Sequence, residues 1–148
     1  MNDQMAENQI LSIAQDFINA LHSLEDAGDI DAEPLAMLFS GDATLTNAAL
    51  EHGDKEITGR DNILQFWVQY KQELGQARSK FHHITTSHNA AGLFWTSEGQ
   101  GPDGQPLRYH GATLLEFDDM GLIRFFRGYY DTRELKVKAA TGAATEIS

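Results

Sequence analysis

The closing segment of the chain, residues 107–131, carries the residue types best suited to proton transfer. It ends on Tyr129, Tyr130 and Asp131, which place a carboxylate beside two phenols. A carboxylate enclosed by aromatic side chains loses hydration, and its pKa then rises toward the range useful for acid–base catalysis. We therefore take Asp131 as the first catalytic candidate and Tyr129 as its hydrogen-bond partner.

A second interpretation of Asp131 needs no chemistry. Alternation along a strand places Phe125, Arg127, Tyr129 and Asp131 on one face. Arg127 would then stabilise the charged carboxylate and oppose the rise of its pKa. Asp131 would in that case only pair with Arg127 or Arg133, or cap the end of the strand.

Histidines are the next candidates, because imidazole titrates near neutral pH. Four of the six histidines lie in the second half of the chain, and for His82 and His110 both a structural and a catalytic role stay open. A structural role is favoured for His83 and His88. Alternation groups His110 with Leu114 and opposes it to Leu115, so His110 faces outward if Leu115 faces the core; a bulge would reverse this.

A metal centre is not indicated by these histidines. No pair has the spacing that brings two imidazoles together on a helix, and neighbours in a strand such as His82 and His83 point to opposite faces. The chain has no cysteine, which excludes thiolate nucleophiles, disulfides and cysteine-based metal sites. We expect neither a metal nor another cofactor.

Aromatic side chains supply the apolar wall that a small-molecule pocket needs. Each is by itself more typical of core packing, but together they give four substrate-binding candidates: Trp67, Trp95, Tyr70 and Phe125. Glu98 is a further carboxylate, for which an exposed position near a turn is the simpler interpretation.

Charge and composition exclude several classes of partner. Asp and Glu total 22 against 11 Lys and Arg, which gives a net charge of −11. Such a chain repels phosphate backbones and anionic membrane surfaces. No basic, apolar leader and no membrane-length apolar run is found. We expect a cytoplasmic protein that binds neither nucleic acid nor membrane.

Two amphipathic helices and a set of strands must position these candidates. Apolar residues at three- and four-residue intervals predict a helix over residues 7–27, and a similar stripe predicts a second helix after Gly59, with Asp61 as its N-cap. Pro34 favours a short helix that begins near it. Residues 42–50 are predicted to form a strand.

From Lys80 onward the periodicity changes to that of strands. The pattern predicts an antiparallel meander of four strands: residues 81–88, residues 91–98 and the two arms of the segment 107–131. Its turns are predicted at 99–105 and 118–121. Helices first and strands last indicate an α+β domain with helices on one face of a curved sheet.

The order of elements and several local motifs resemble the nuclear transport factor 2-like superfamily, and within it the SnoaL-like proteins. The resemblance covers residues 8–135. Its carriers are residues 35–45 (LAMLFSGDATL) after the first helix, residues 58–63 (TGRDNI) before the second, FHHIT at 81–85, and the final hairpin with RGYYD at 127–131. We expect one SnoaL-like domain over residues 1–135 and a mobile tail over 136–148.

The resemblance implies a cone-shaped antiparallel sheet wrapped around the N-terminal helices (a cystatin-like α+β barrel) with a pocket at its open end. It also implies a homodimer packed through the outer face of the sheet. Relatives include polyketide cyclases, ketosteroid isomerase, scytalone dehydratase and limonene epoxide hydrolase, in some of which an aspartate closing the last strand is the acid or base. Asp131 occupies the matching place.

Two of these mechanisms fit the chain poorly. In the dehydratase two histidines from the sheet hold a catalytic water, and the resemblance implies His82 and His110 as the matching catalytic candidates. The dehydratase also uses an aspartate in the first helix, where this chain offers only Asn19 and His22. The isomerase needs two acidic groups and a phenol, and only Asp42 and Tyr129 are available. The remaining hypothesis is cofactor-free acid–base chemistry on a hydrophobic, oxygenated molecule: isomerisation, cyclisation, hydration or dehydration. The alternative is a non-catalytic ligand-binding or dimerising domain.

Overall fold

The computed structural model describes residues 3–27, 31–52, 55–74, 77–100 and 103–131. Four helices are described: α1 (Asp3–Asp26), α2 (Glu33–Ala36), α3 (Ala48–His52) and α4 (Arg60–Leu74). Six strands are described: β1 (Phe39–Asn47), β2 (Ile57–Thr58), β3 (Arg78–Thr86), β4 (Ala90–Gln100), β5 (Pro106–Phe117) and β6 (Ile123–Tyr130). The α+β class is therefore confirmed.

The strands form one curved, open sheet in the order β2-β1-β6-β5-β4-β3. Neighbouring strands are antiparallel except β1 and β6, which run parallel. The meander β3–β6 follows the chain order, as the sequence predicted. β1 lies beside β6, at the β6 end of the meander. β6, the last strand in the chain, therefore lies inside the sheet and not at its edge.

The helices pack on one face of this sheet because each presents an apolar stripe. The stripe of α1 is buried, and Trp67 of α4 lies among the rings of Phe17, Phe39 and Phe126. Burying one such aromatic side chain stabilises the fold by about 2 kcal/mol. Arg60, at the start of α4, donates from Nε and Nη2 to the carbonyl oxygen of Phe39 at 3.0 and 2.7 Å and fixes the helix to β1.

The predicted turn between β5 and β6 is confirmed. Asp118 Oδ1 accepts hydrogen bonds from the backbone N–H of Met120 at 2.9 Å and of Leu122 at 3.0 Å. Gly121 has a φ of 80°, a conformation that glycine adopts without steric cost. The turn residues therefore set the register of the final hairpin.

The predicted strand over residues 42–50 is wrong at its end. Residues 48–50 are helical, because Asn47 Oδ1 accepts from the backbone N–H of Leu50 at 2.9 Å and caps α3. Asp61 is likewise not an N-cap, since α4 begins one residue earlier. The predicted tail over residues 136–148 lies outside the described residues.

Candidate functional site

The burial pattern of β5 shows which side chains face the helices. Tyr109, Thr113, Leu115 and Phe117 are buried, whereas His110 between them is exposed. Leu115 is paired with Phe126 of β6, a core residue, so this face is the inner one. The outward direction that alternation predicted for His110 is confirmed.

A buried carboxylate lies on the inner side, at the C-terminal end of α1. Glu25 is only 5% exposed, yet its oxygens accept three hydrogen bonds. Oε1 accepts from the backbone N–H of Ser79 at 2.8 Å, and Oε2 accepts from Ser79 Oγ at 2.7 Å and from the Tyr70 phenol at 2.6 Å. Ser97 Oγ lies 2.6 Å from Ser79 Oγ. We call Glu25, Tyr70, Ser79, Ser97 and Tyr109 the interior cluster.

The last turns of α1 hold this cluster against the edge strand β3. His22 Nε2 lies 2.7 Å from the carbonyl oxygen of Ser79, and Glu25, one turn later on the same helix face, binds the N–H of the same residue. Both backbone groups of Ser79 are thus bonded to α1 side chains. The helix end satisfies an otherwise open position of the sheet edge at this point.

A third contact comes from α4. Lys71 Nζ donates to the backbone carbonyl oxygen of Glu25 at 2.6 Å, one residue after Tyr70 contacts the side chain. This bond satisfies a carbonyl in the last turn of α1, where the helix has no further N–H to offer. The position of the Glu25 carboxylate is therefore fixed from both helices and from the sheet.

Burial changes the acidity of three phenols near the cluster. It raises the pKa of Tyr70 well above its ordinary value, with Tyr109 and the Glu25 carboxylate adding to the rise. Burial also raises the pKa of Tyr109, although hydrogen bonds from Ser97 and Tyr70 oppose it. For Tyr130, burial raises the pKa to about 12. All three phenols are therefore protonated hydrogen-bond donors near neutral pH.

Three of the four predicted substrate-binding residues lie on the inner side. Tyr70 belongs to the interior cluster, and Trp95 packs edge-on against Tyr109 with ring centroids 5.4 Å apart. Trp67 is buried beside Tyr70, and no group in the described part of the chain accepts from its indole N–H. Phe125, the fourth, lies on the opposite side of the sheet, where the Arg127 guanidinium stands 5.5 Å from its ring.

Three of the four predicted catalytic residues also lie on that opposite side, which we call the outer sheet face. His82, His110 and Tyr129 are all exposed there. His82 Nε2 is 2.9 Å from Thr96 Oγ1, and Thr96 is paired with His110 in the neighbouring strand. Tyr129 is 46% exposed, with its phenol 3.5 Å from Arg127 Nη1. The structure brings none of these three side chains to the interior cluster.

The expectation that His82 and His83 point to opposite faces is wrong. The register of β3 against β4 shifts between Phe81 and His83, so His82 is an additional residue in a bulge and both imidazoles are exposed. His83 instead stacks edge-on with Phe94 at 6.4 Å. Within the described ranges, no group of three or more acidic or histidine side chains could hold a metal ion.

Asp131 is the fourth predicted catalytic residue. It directly follows β6, is half-buried and comes after the inward-facing Tyr130, whose ring packs 6.0 Å from Tyr109. Its role as acid or base stays a prediction. Glu98, the other candidate carboxylate, is exposed, and its Oε2 lies 3.9 Å from Arg108 Nε.

The sequence carried one signal for the interior cluster. Glu25 follows Phe17 and Leu21 at four-residue intervals and so falls on the buried stripe of α1. A carboxylate on an apolar stripe is seldom buried without bonded partners, which makes it a candidate site residue. Ser79 and Ser97 gave no comparable signal, since small polar residues are common in strands.

A groove of about 360 Å³ lies between β2 and α4, and it shares no residue with the interior cluster. Among the helices of the described ranges, none is long and apolar enough to cross a membrane.

The fold is an open curved sheet packed on helices, with a polar cluster enclosed between them. α+β domains of this class include enzymes and binding proteins. Residues 14–126 match the model of the SnoaL-like domain. The chain belongs to this family. No curated protein matches it.

Solved structures of the same fold have low sequence identity to the chain. A "putative ketosteroid isomerase" from Kribbella flavida DSM 17836 is 18% identical, with a TM-score of 0.63 over 84% of this chain and 79% of that one. The epoxide hydrolase/cyclase-like enzyme SalBIII, which has a role in pyran ring formation in salinomycin, is 11% identical, with a TM-score of 0.71 over 86% and 95%.

A de novo designed protein with a curved β-sheet is 15% identical, with a TM-score of 0.65 over 85% of this chain and 88% of that chain. A designed protein and two natural proteins thus share the backbone arrangement. The likeness establishes the fold, and the function has to be argued from the side chains.

Proposed function

We propose that the protein acts on a hydrophobic, oxygenated small molecule by acid–base chemistry of its own side chains. Isomerisation, cyclisation, hydration and dehydration are the reaction types that fit. The observation that carries the proposal is the Glu25 carboxylate, buried on the inner side of the sheet and bonded to the Tyr70 phenol at 2.6 Å. A positioned carboxylate beside phenol donors is the pairing that proton transfer requires.

Each member of the pair has a distinct role. Glu25 is the base, and the Tyr70 phenol positions its carboxylate through the 2.6 Å hydrogen bond. Tyr109 donates a hydrogen bond to an oxygen on which negative charge develops. The raised pKa values of the two phenols keep both protonated. Trp95 provides apolar wall beside Tyr109. The names of the two natural structural neighbours, a "putative ketosteroid isomerase" and an epoxide hydrolase/cyclase-like enzyme, add support for this reaction class.

Asp131 is the alternative base, and one comparison of variants separates the two. A β,γ-unsaturated ketosteroid and an apolar epoxide serve as probes, with the conjugated enone and the ring-opened product as readouts. We expect Glu25→Gln to lower kcat by about 100-fold or more, and Asp131→Asn to leave it within about threefold. The opposite ranking would assign the base to Asp131, and the assignment of Glu25 would then be wrong.

A non-catalytic ligand-binding domain is the second candidate. The observation in its favour is that the Glu25 oxygens already accept three hydrogen bonds, which is what a purely structural carboxylate does. Quenching of tryptophan fluorescence by the ketosteroid, with no product formed by the wild-type protein, would favour this function over catalysis.

We also propose a second copy of the chain as partner, docked through the outer sheet face. Phe94 and Tyr129 are 43% and 46% exposed there, and both are paired with Ala112, so they form one apolar patch. Of the nearby charged residues, Arg124 binds Glu116 at 3.0 Å, and Arg127 lies beside Tyr129. On a chain of net charge −11, a patch with cations at its border is where two copies repel each other least.

Light scattering after size-exclusion chromatography tests this assembly. The double variant Phe94→Lys/Tyr129→Lys is expected to be monomeric at concentrations where the wild-type protein is dimeric, because each interface would bury like charges. Met120→Lys is the control, since Met120 is 83% exposed in the turn after β5. A wild-type monomer, or an unchanged dimer in the double variant, contradicts the proposal.

A further inference from the structure

The groove between β2 and α4 is built from two consecutive elements of the chain. β2 leads through Gly59 directly into α4, and side chains on both sides of this junction enclose about 360 Å³. Gly59 has a φ of 95°, and its N–H donates to the carbonyl oxygen of Ala43 at 2.8 Å. The junction is thus tied to β1, and the volume is large enough for a small organic molecule.

The α4 wall of the groove is a single stripe of side chains. Asn62, Gln65, Phe66 and Gln69 line it, and their spacing of three and four residues places them on one side of the helix. The stripe runs for about 10 Å along the helix axis. This wall therefore consists of three carboxamide groups and one aromatic ring.

The β2 wall adds a carboxylate. Glu56, directly before β2, lines the groove together with Ile57 and Thr58. Of the described residues that line the groove, none is Lys, Arg or His. Arg60 lies close by in the sequence, but its guanidinium donates to the carbonyl oxygen of Phe39. The lining thus carries negative charge and lacks a cation that could bind an anionic ligand.

One hydrogen bond joins the two walls at the end next to Gly59. Asn62 Nδ2 donates to the carbonyl oxygen of Thr58 at 2.9 Å. Glu56 and Gln69 lie farther from the junction, one on each wall, and both are exposed. A carboxylate only accepts hydrogen bonds, and a glutamine amide can turn its oxygen toward a donor. That end of the groove therefore suits a ligand group that only donates.

Phe66 gives the groove an aromatic surface in a fixed position. Its ring packs edge-on against buried Trp67, with centroids 5.0 Å apart and an interplanar angle of 84°. An aromatic face attracts an ammonium group and also packs against methylene groups. Together with Ile57, Phe66 provides a place for a short hydrocarbon chain.

We propose that this groove binds a small primary alkylammonium ion. Its N–H groups donate to the Glu56 carboxylate and to the amide oxygen of Gln69, and its hydrocarbon chain lies on Phe66. The start of α4 carries partial positive charge, which keeps the ammonium group at the Glu56 end and away from Asn62.

The charge of the whole chain favours the same class of ligand. A net charge of −11 attracts small cations and repels anions of equal size. The groove shares no residue with the interior cluster, so the site does not depend on the proposed acid–base function. A protein without isomerase or hydrolase activity would bind the ammonium ion equally well.

Three probes with the same carbon chain test the class of ligand: n-butylammonium, n-butanol and butyrate. Salt at about 0.15 M screens the attraction by distant charges, and the side-chain amide resonances of Gln65 and Gln69 in ¹H–¹⁵N spectra report binding. We expect a millimolar Kd for the ammonium ion and at least about tenfold weaker binding of the other two probes. Equal or tighter binding of butanol or butyrate, or no binding of the ammonium ion, would overturn the proposal.

Two variants of the lining and one matched control test the location. Glu56→Gln should weaken butylammonium binding about fivefold, and Phe66→Leu, which keeps an apolar side chain, about threefold. Glu98→Gln makes the same change in net charge on the outer sheet face and should leave the Kd within about 1.5-fold. Circular dichroism checks that each variant is folded. If Glu56→Gln and Glu98→Gln had equal effects, only the net charge would attract the cation, and the assigned site would be wrong.

Discussion

Two rows of residues on the same three strands differ in register by a single position. Ser79, Ser97 and Tyr109 are paired across β3, β4 and β5 on the inner face, and Lys80, Thr96 and His110 are paired across them on the outer face. The inner row is buried and bonded to Glu25; the outer row is largely exposed. Chemical character alone therefore does not mark a site, because the outer row contains the imidazole and the inner row contains two ordinary serines.

The difference comes from what covers each face. The inner row is closed by the ends of α1 and α4, which contribute a carboxylate and a phenol. On the outer face, His82 makes one exposed hydrogen bond to Thr96. Exclusion of water strengthens each polar contact inside and raises the cost of losing one, so the two faces should respond very differently to substitution.

The largest expected effect is at the carboxylate itself. Glu25→Leu leaves the Ser79 N–H, the Ser79 hydroxyl and the Tyr70 phenol without their acceptor, and should lower the free energy of unfolding by about 4 kcal/mol. Urea denaturation followed by circular dichroism measures it. The matched control is Glu98→Leu on the outer face, expected to cost less than about 0.5 kcal/mol. Similar losses for the two variants would remove the energetic distinction between the faces.

Two glycines, one on each face of the sheet, differ in the space around them. A Cβ at Gly111 would lie 2.0 Å from the backbone oxygen of Tyr129 and 3.0 Å from the Trp95 ring, whereas at Gly92 it would meet the Thr85 hydroxyl at 2.7 Å. The Thr85 hydroxyl can rotate away, but the backbone carbonyl cannot. We expect Gly111→Ala to cost about 3 kcal/mol and Gly92→Ala less than about 1 kcal/mol by the same denaturation assay. Equal costs would show that β6 adjusts to the added methyl group.

Alkaline pH is expected to lower the stability of the protein through Tyr130. Tyr130 has a folded-state pKa of about 12, against about 10 for the unfolded chain, so the folded state holds its proton more tightly. Its contribution to stability is complete below pH 10 and is lost as the pH rises to about 12, a change of about 3 kcal/mol. Denaturation midpoints between pH 9 and 12 should therefore fall less steeply in Tyr130→Phe than in the wild type. Parallel curves would mean that the phenol is not effectively buried.

The smallest expected difference compares the two rows at adjacent residues. Ser97→Ala removes a buried hydrogen bond and should cost about 1 kcal/mol, while Thr96→Ala, which removes the exposed bond to His82, should cost less than about 0.5 kcal/mol. Thermal unfolding at neutral pH is sufficient to rank them. A larger loss for Thr96→Ala would place the more important polar contact on the outer face.

Sequence patterns sufficed for most of the fold. The stripes of α1 and α4 and the turn at Asp118 follow from local rules of periodicity and turn chemistry, and the structure confirms them. Residues 48–50 have the pattern of a strand, but the hydrogen bond from Leu50 N–H to Asn47 Oδ1 turns them into a helix, and no periodicity shows such a bond. The bulge at His82 was also missed, since an inserted residue leaves the sequence pattern almost unchanged.

The pattern of residues along the chain is enough to predict the fold class, the family and the alternation that separates Tyr109 from His110. It also contained Glu25 on the buried stripe of α1, a signal that stands out only once burial is considered. Only the tertiary structure decided which face of the sheet the helices cover and which distant residues meet there. Glu25, Tyr70, Ser79 and Ser97 are between 18 and 54 residues from their bonded partners. Contacts over such separations depend on the packing of whole elements, and no local pattern encodes them.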